Sequence, residues 1–273
     1  MPKAMKIATM APKGGVGKTT STFCLAACLT RLNQKILCID LDPQGDLSDA
    51  IGFSIDESKP TIGNILNAPR REQPALLLQA ITRSTQWTDL VTAGSLLESM
   101  EREIEKGIAP EVRLRDSLSQ AEALYDFILF DTPKGDGLLS KNALIACDAV
   151  LVPFQTEPFA LKNFPVLLNK VYEVADRMNP DLYICAVLPS RMKRNNLSAQ
   201  VLSSLKEWDS QPYSYHQNEK VWVGPPVPDL TLYTELSAMK VPIYEHPDLQ
   251  SKHIQPFELL AEELVRQRQR RKD

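Results

Sequence analysis

The chain has 273 residues, 31 of them Lys or Arg and 34 Asp or Glu, for a formal net charge of −3. That length carries one large α/β domain or two small ones with a substantial core. The charge balance excludes a polycation held to nucleic acid by its overall charge, so any DNA contact must come from a local basic patch.

No apolar run approaches the ~20 residues of a membrane span, and the N-terminus lacks the long apolar segment of a signal peptide. The five cysteines, at positions 24, 28, 38, 147 and 185, stand in apolar or helical surroundings. Cys24 and Cys28 are one helical turn apart, but no second close pair completes a metal site, which predicts core thiols in a reducing cytoplasm.

The first predicted element is an apolar strand, Lys6 to Met10. It runs into Pro12-Lys13-Gly14-Gly15-Val16-Gly17-Lys18-Thr19-Thr20 and then into a helix reaching about Leu32. Only five residues precede this strand, which leaves no room there for an N-terminal DNA-binding domain. Strand, glycine-rich turn and helix in this order form a P-loop. Bare backbone N–H groups cradle phosphates, Lys18 reaches the β/γ-phosphates and Thr19 holds Mg²⁺. The helix adds its positive end to the same anion site. The expected cofactors are therefore ATP and Mg²⁺. The glycine usual five residues before Gly17 is replaced by Pro12, and a second lysine, Lys13, follows it.

Ile36 to Ile39 reads as a buried parallel strand that delivers Asp40-Leu41-Asp42-Pro43-Gln44-Gly45 to its carboxyl end, where ligands bind in open α/β sheets. Residues 54 to 80, broken by Pro60, Pro69 and Pro74, read as variable surface with helical patches. Trp87 to Ala93 reads as a strand. Leu96 to Lys106 and Glu111 to Leu124 read as two amphipathic helices, with Glu98, Glu101, Arg102, Glu103 and Glu105 on solvated faces. Tyr125 to Phe130 is an apolar strand ending in Asp131-Thr132-Pro133, the physical form of a Walker B segment, whose Asp holds Mg²⁺ directly or through water.

Ala149 to Pro153 and Tyr183 to Leu188 are further strands, and Val221 to Val223 a short one. Arg191, Lys193 and Arg194, just before a helix, are either phosphate-backbone contacts or a solvated loop. The closing helix, from about Gln255, buries Phe257, Leu260 and Leu264 and ends in Arg266, Arg268, Arg270, Arg271 and Lys272. That run is a second DNA candidate, though positive charge at a helix C-terminus is favourable by itself. It lacks the bulky apolar residues that a membrane-targeting helix needs.

The loop Lys13-Gly14-Gly15-Val16-Gly17-Lys18-Thr19, the segments Asp40 to Gly45, Tyr125 to Pro133 and Phe154 to Leu161, and Val241-Pro242-Ile243-Tyr244 together resemble the ParA/MinD family of ATPases, from Lys6 to about Val265. The resemblance implies a P-loop NTPase fold, a three-layer α/β/α arrangement with a mostly parallel twisted sheet. It implies a single domain over 1–273, with its core at about 6–265 and a basic tail at 266–273.

By the same resemblance Lys13 reaches across a dimer interface to the partner's nucleotide, and the catalytic residues are Lys13, Lys18 and Asp42. Nucleotide is held by residues 13 to 20, with Pro189 and Ser190 bordering the adenine. Mg²⁺ is held by Thr19, Asp42 and Asp131, partly through water, with Asp40 in support.

The implied function is slow ATP hydrolysis, stimulated by a ParB-like adaptor. An ATP-dependent homodimer would bind DNA without sequence preference, on the nucleoid in the cytoplasm, and drive plasmid or chromosome partition without a membrane partner. The chain departs from the family pattern at Asp46, where Asn is common, and at Lys134, where a second Pro is common. It departs again at Val227 to Leu232, which lacks the arginines often found there. The alternatives are a relative that positions a protein cargo or organelle and a MinD-like membrane switch, which needs an apolar terminal helix. A reductase like the nitrogenase iron protein would need cysteines placed to bridge a cluster.

Overall fold

The computed structural model describes residues 3–11, 13–53, 59–83, 87–155, 158–193, 196–208 and 221–271, with backbone alone at 158–163, 197, 206–208 and 237. Seven strands form one sheet: β1 Met5–Thr9, β2 Ile36–Asp40, β3 Asp89–Val91, β4 Phe127–Asp131, β5 Ala149–Gln155, β6 Tyr183–Ser190 and β7 Trp222–Val223. Their order is β3-β2-β4-β1-β5-β6-β7, and every pairing between them is parallel. The helices are α1 Lys18–Arg31, α2 Asp46–Ile51, α3 Ile62–Asn67, α4 Gln73–Ala80, α5 Leu97–Glu105, α6 Arg113–Ser117, α7 Leu138–Ala146, α8 Pro158–Arg177, α9 Asn196–Trp208, α10 Leu232–Met239 and α11 Ser251–Arg270.

The inner strands are apolar runs because both faces of the sheet are covered. Every residue of β2 and β4 is buried. Successive side chains leave opposite faces. Leu37, Ile39, Ile128 and Phe130 pack into one core with residues of α3 to α9, whereas Cys38, Leu129 and Ile7 pack into the other with α1, α2, α10 and α11. The result is the expected three-layer α/β/α fold. All five cysteines are buried thiols, as their apolar settings predict.

Three stretches differ from their sequence reading. Residues 54 to 80 are not surface throughout, since Ile62, Ile65, Leu66, Leu77 and Ala80 all belong to a core. Pro69 falls in the break between α3 and α4, whereas Pro74 opens α4, where its missing N–H costs nothing. Helices of six and eight residues are also too short to show a 3.6-residue period. The single helix expected at Glu111 to Leu124 is instead a 3₁₀ turn, Pro110–Val112, then α6, then a second 3₁₀ turn, Ala121–Ala123. Asn142 of α7 fixes that break, because its side chain accepts from Leu114 N–H at 3.0 Å and donates to Pro110 carbonyl at 2.9 Å. Glu101 is not wholly solvated either. It accepts the N–H of Leu139 at 3.2 Å and so supports the first turn of α7.

The register positions the site. Asp131 at the end of β4 pairs with Thr9 of β1 on one side and Asp40 of β2 on the other, so three polar residues end level at the carboxyl edge of the sheet. The chain leaving β1 crosses β4 to reach β2, whereas the chain leaving the neighbouring β4 crosses β1 the other way to reach β5. The P-loop thus opens at a topological switch point, where open α/β sheets bind ligands.

Candidate active site

The loop between β1 and α1 is built by two left-handed glycines, Gly15 at φ 76° and Gly17 at φ 92°. A side chain at either position would strain the turn. Three of its carbonyls are engaged. Gly15 accepts from Arg191 Nη1 at 2.8 Å, Val16 from the Ser190 hydroxyl at 2.8 Å and Gly17 from Ser21 N–H at 2.8 Å. In planar trans peptides the next N–H points the opposite way. The N–H groups of Val16, Gly17 and Lys18 therefore turn away from those carbonyl partners.

The cleft has a volume of about 320 Å³. One wall is the P-loop through Thr20 with Asp42, Asp46 and Lys134, and the other is Ser190, Arg191, Val227 to Leu230 and Tyr233. Lys18 is buried in this cleft at 6% exposure, whereas Lys13 is exposed at the start of the loop.

Behind the P-loop the acids form a graded series. Asp40 is fully buried and accepts from Ser48 N–H at 2.9 Å, the Ser48 hydroxyl at 2.7 Å and Asp42 N–H at 3.1 Å. Those bonds fix both the start of α2 and the turn that carries Asp42. Asp42 accepts the N–H of Gln44 at 3.1 Å and reaches the cleft. Asp131 accepts the Thr19 hydroxyl at 2.7 Å on one oxygen, while its other oxygen, Oδ1, is buried with no hydrogen-bond partner among the described residues. Burial lifts the pKa of Asp40 to about 6, and lifts that of Asp131 well above the ordinary range, with Asp40 adding to the effect.

A buried carboxylate oxygen without a partner is costly. Here it stands beside a hydroxyl, with Asp42 at the cleft. A hard cation that takes oxygen ligands and keeps several waters fits this donor set, so Mg²⁺ suits the residues present.

The other expected site residues divide. Ser190 and Pro189 close β6, and Ser190 lines the cleft while Pro189 supports it through its carbonyl, which accepts Val227 N–H at 2.7 Å. Arg191, a DNA candidate, forms part of the cleft wall, bonded to the Gly15 carbonyl and to Asp229 at 3.2 Å. Lys193 is exposed, and Arg194 lies outside the described residues.

In the tail, Arg268 pairs with Asp126 at 2.7 Å and lies over the Phe127 ring at 5.6 Å. Arg271 donates to the Asp181 carbonyl at 3.3 Å and stacks on Tyr183 at 4.1 Å. Both DNA candidates thus make contacts within the chain, since Phe127 and Tyr183 begin their strands and the tail packs there, at the opposite end of the sheet from the cleft. Arg266 pairs with Glu263 at 3.0 Å, and Arg270 is exposed. No helix among the described residues is long and apolar enough to cross a membrane.

Sequence reading missed the Arg191 bridge, the placement of Lys134 against the loop and the wall from Val227 to Tyr233. The departure from family pattern at Lys134 was a signal, whereas nothing local marked Tyr233.

The family described as "AAA domain" matches residues 4–184. The sporulation initiation inhibitor protein Soj of Bacillus subtilis is 36% identical over 204 residues, covering 74% of this chain and 79% of Soj. The chromosome partitioning protein ParA of Caulobacter vibrioides is 30% identical over 260 residues, covering 93% of this chain and 91% of that protein. The crystal structure of cobyrinic acid a,c-diamide synthase from Mycobacterium smegmatis with bound ADP and magnesium is similar at a TM-score of 0.76. It is 25% identical and covers 96% of this chain and 94% of that one.

Proposed function

Since the chain belongs to the ParA family of the ParA/MinD superfamily, we propose that it is an ATPase that closes into a homodimer on ATP, binds DNA without sequence preference and lets go on hydrolysis. A ParB-like adaptor stimulates that hydrolysis, and the cycle serves plasmid or chromosome partition on the nucleoid. The observation that carries this reading is the Thr19–Asp131 contact at 2.7 Å with Asp131 Oδ1 left over, beside the buried Lys18. It is the arrangement that the metal-bearing end of a nucleoside triphosphate requires.

Thr19 and Asp131, with Asp42 through water, would hold Mg²⁺, and Asp40 would keep that turn in place. The cation would supply charge neutralisation on the phosphate oxygens. The chain does the rest. The loop N–H groups and Lys18 grip the phosphates, and Asp42 orients the attacking water. Asp42→Ala keeps ATP binding in this mechanism and loses about 100-fold in turnover, the cost of one positioning group.

Lys13 supports the dimer. Lys18 already serves the phosphates from within the subunit, so an exposed second lysine is redundant there and useful across a two-fold interface, where exclusion of water strengthens its attraction to the partner's triphosphate. Lys13→Ala should therefore keep nucleotide binding and lose ATP-dependent dimerisation, whereas Lys18→Ala should weaken nucleotide binding itself. Sedimentation of both variants with ATP and with ADP, beside direct nucleotide titration, tests this. A Lys13→Ala protein that dimerises on ATP like wild type would overturn the action in trans.

The engagement of Arg191, Arg268 and Arg271 within the chain favours a second reading, a ParA-like ATPase that positions a protein cargo. A wild-type ATP complex that ignores DNA would decide for it.

A further inference from the structure

Lys134 stands in the loop between β4 and α7, and its side chain lies on the P-loop. A Cβ placed on Gly14 would come within 2.9 Å of Lys134 Cδ, 3.0 Å of Cε and 3.4 Å of Cγ. Glycine at 14 thus gives the lysine's alkyl chain its seat. From there Lys134 lines the same cleft as Lys18 and Thr19.

The loop that carries it is tied on both sides. Before it, the Thr132 hydroxyl donates to the Thr9 carbonyl at 2.7 Å. After it, Asp136 pairs with Lys170 of α8, and the Ser140 hydroxyl donates to the Gly135 carbonyl at 3.0 Å. Gly135, at φ 86°, takes the reversal between these ties. The nearest acid along the chain, Asp136, is thereby engaged elsewhere, and among the described residues no carboxylate pairs with the Lys134 ammonium.

A cation held at an anion site, seated by its own methylenes and lacking an anionic partner, is prepared for an anionic ligand. Its ordering cost is already met in part by the packing of the stem on Gly14. We propose that Lys134 is a third phosphate-reading lysine, acting within its own subunit, and that it makes the site prefer a nucleoside triphosphate to a diphosphate. The proposal rests on the nucleotide reading above. The physical reason is charge. The loop N–H groups serve the phosphates that both nucleotides share and Lys18 reaches the β/γ pair, so a further cation adds discrimination where it meets the terminal phosphate that only the triphosphate has. A proline at this position has no charge with which to do so.

The test is titration of the full chain with a non-hydrolysable ATP analogue and with ADP, both with Mg²⁺, for wild type, Lys134→Met and Lys134→Arg. Methionine keeps an unbranched apolar stem for the seat on Gly14 and removes the charge. Loss of one charge-assisted contact predicts that Lys134→Met loses roughly tenfold in the ratio of triphosphate to diphosphate affinity, with ADP affinity unchanged. Lys134→Arg should restore most of the ratio. Equal weakening of both nucleotides in Lys134→Met would assign the residue to loop support and overturn the proposal. So would a ratio that stays at the wild-type value. A wild-type chain that binds neither nucleotide would overturn the nucleotide reading itself, and this proposal with it.

Discussion

The two ends of the sheet both bury charge, and they resolve it differently. Where the strands begin, the Lys6 ammonium lies 3.0 Å from Glu122 and 3.3 Å from Asp148, and its backbone N–H donates to Asp148 at 2.7 Å. Burial works against the Lys6 cation, yet Asp148 and Glu122 carry its pKa above the ordinary lysine value. Burial also works against the Glu122 anion, yet Lys6 and Lys3 carry its pKa below the ordinary glutamate value. Where the strands end, burial pushes Asp40 and Asp131 the other way, with Asp42 repelling Asp40 and Asp40 repelling Asp131, and Asp131 Oδ1 has no hydrogen-bond partner among the described residues.

The acids at the two ends differ mainly in whether the chain itself supplies enough cation. A buried charge that its own chain completes contributes to the fold, and one left short of a cation is a place to bind one.

The largest expected effect comes from undoing the completed end. Lys6→Met leaves Asp148 unpaired by Lys6 and Glu122 with only the exposed Lys3. It should cost about 3 kcal/mol of stability, read by urea denaturation. The pH dependence has a definite sign. The folded pKa of Glu122 lies below the ordinary glutamate value of 4.5, so its stabilisation is present above that value and lost as pH falls through the folded pKa. Lys6 contributes below 10.5, and its share is lost as pH rises through the higher folded pKa. Lys6→Met should flatten the acid limb, and unchanged stability in this variant would break the contrast.

A smaller effect of opposite sign is expected at the other end. Asp131→Asn removes a buried charge that the chain does not neutralise, and should stabilise the nucleotide-free protein by about 1 kcal/mol. The same change should abolish the rise in melting temperature that Mg²⁺ with ATP produces in wild type. Glu122→Gln should instead lower the melting temperature. Matching signs at the two ends would show that burial alone, and not completion, governs both.

The smallest effect sharpens the contrast within the tail. Arg268→Ala should cost about 1 kcal/mol through its ion pair and ring contact and leave the salt dependence of DNA binding as it was. Arg270→Ala should leave stability alone and lower the salt slope by about 1, as expected for a phosphate contact. Salt titrations of DNA affinity beside thermal melts separate the two.

What was legible in the sequence was what acts locally. Residues 13 to 19 are proposed to bind through consecutive backbone groups, so composition and spacing along one short stretch carry their chemistry. The apolar runs ending in Asp40 and Asp131 were legible for a similar reason, since a strand buried on both faces cannot alternate. The short helices α3 and α4 were not, because six or eight residues hold too few turns for a period to appear. The basic residues were left open because a guanidinium has the same appearance in sequence whether water, DNA or Asp126 surrounds it.

The sequence by itself determined the P-loop segment, the glycines that build its turn and the acids that end the neighbouring strands. Only the tertiary structure decided that Thr9, Asp131 and Asp40 end level, that Arg191 holds the Gly15 carbonyl and that Lys134 rests on Gly14. Each of these joins residues far apart in the chain. Such meetings depend on which strands become neighbours and in what register, and that is set by how the two cores pack against the sheet as a whole.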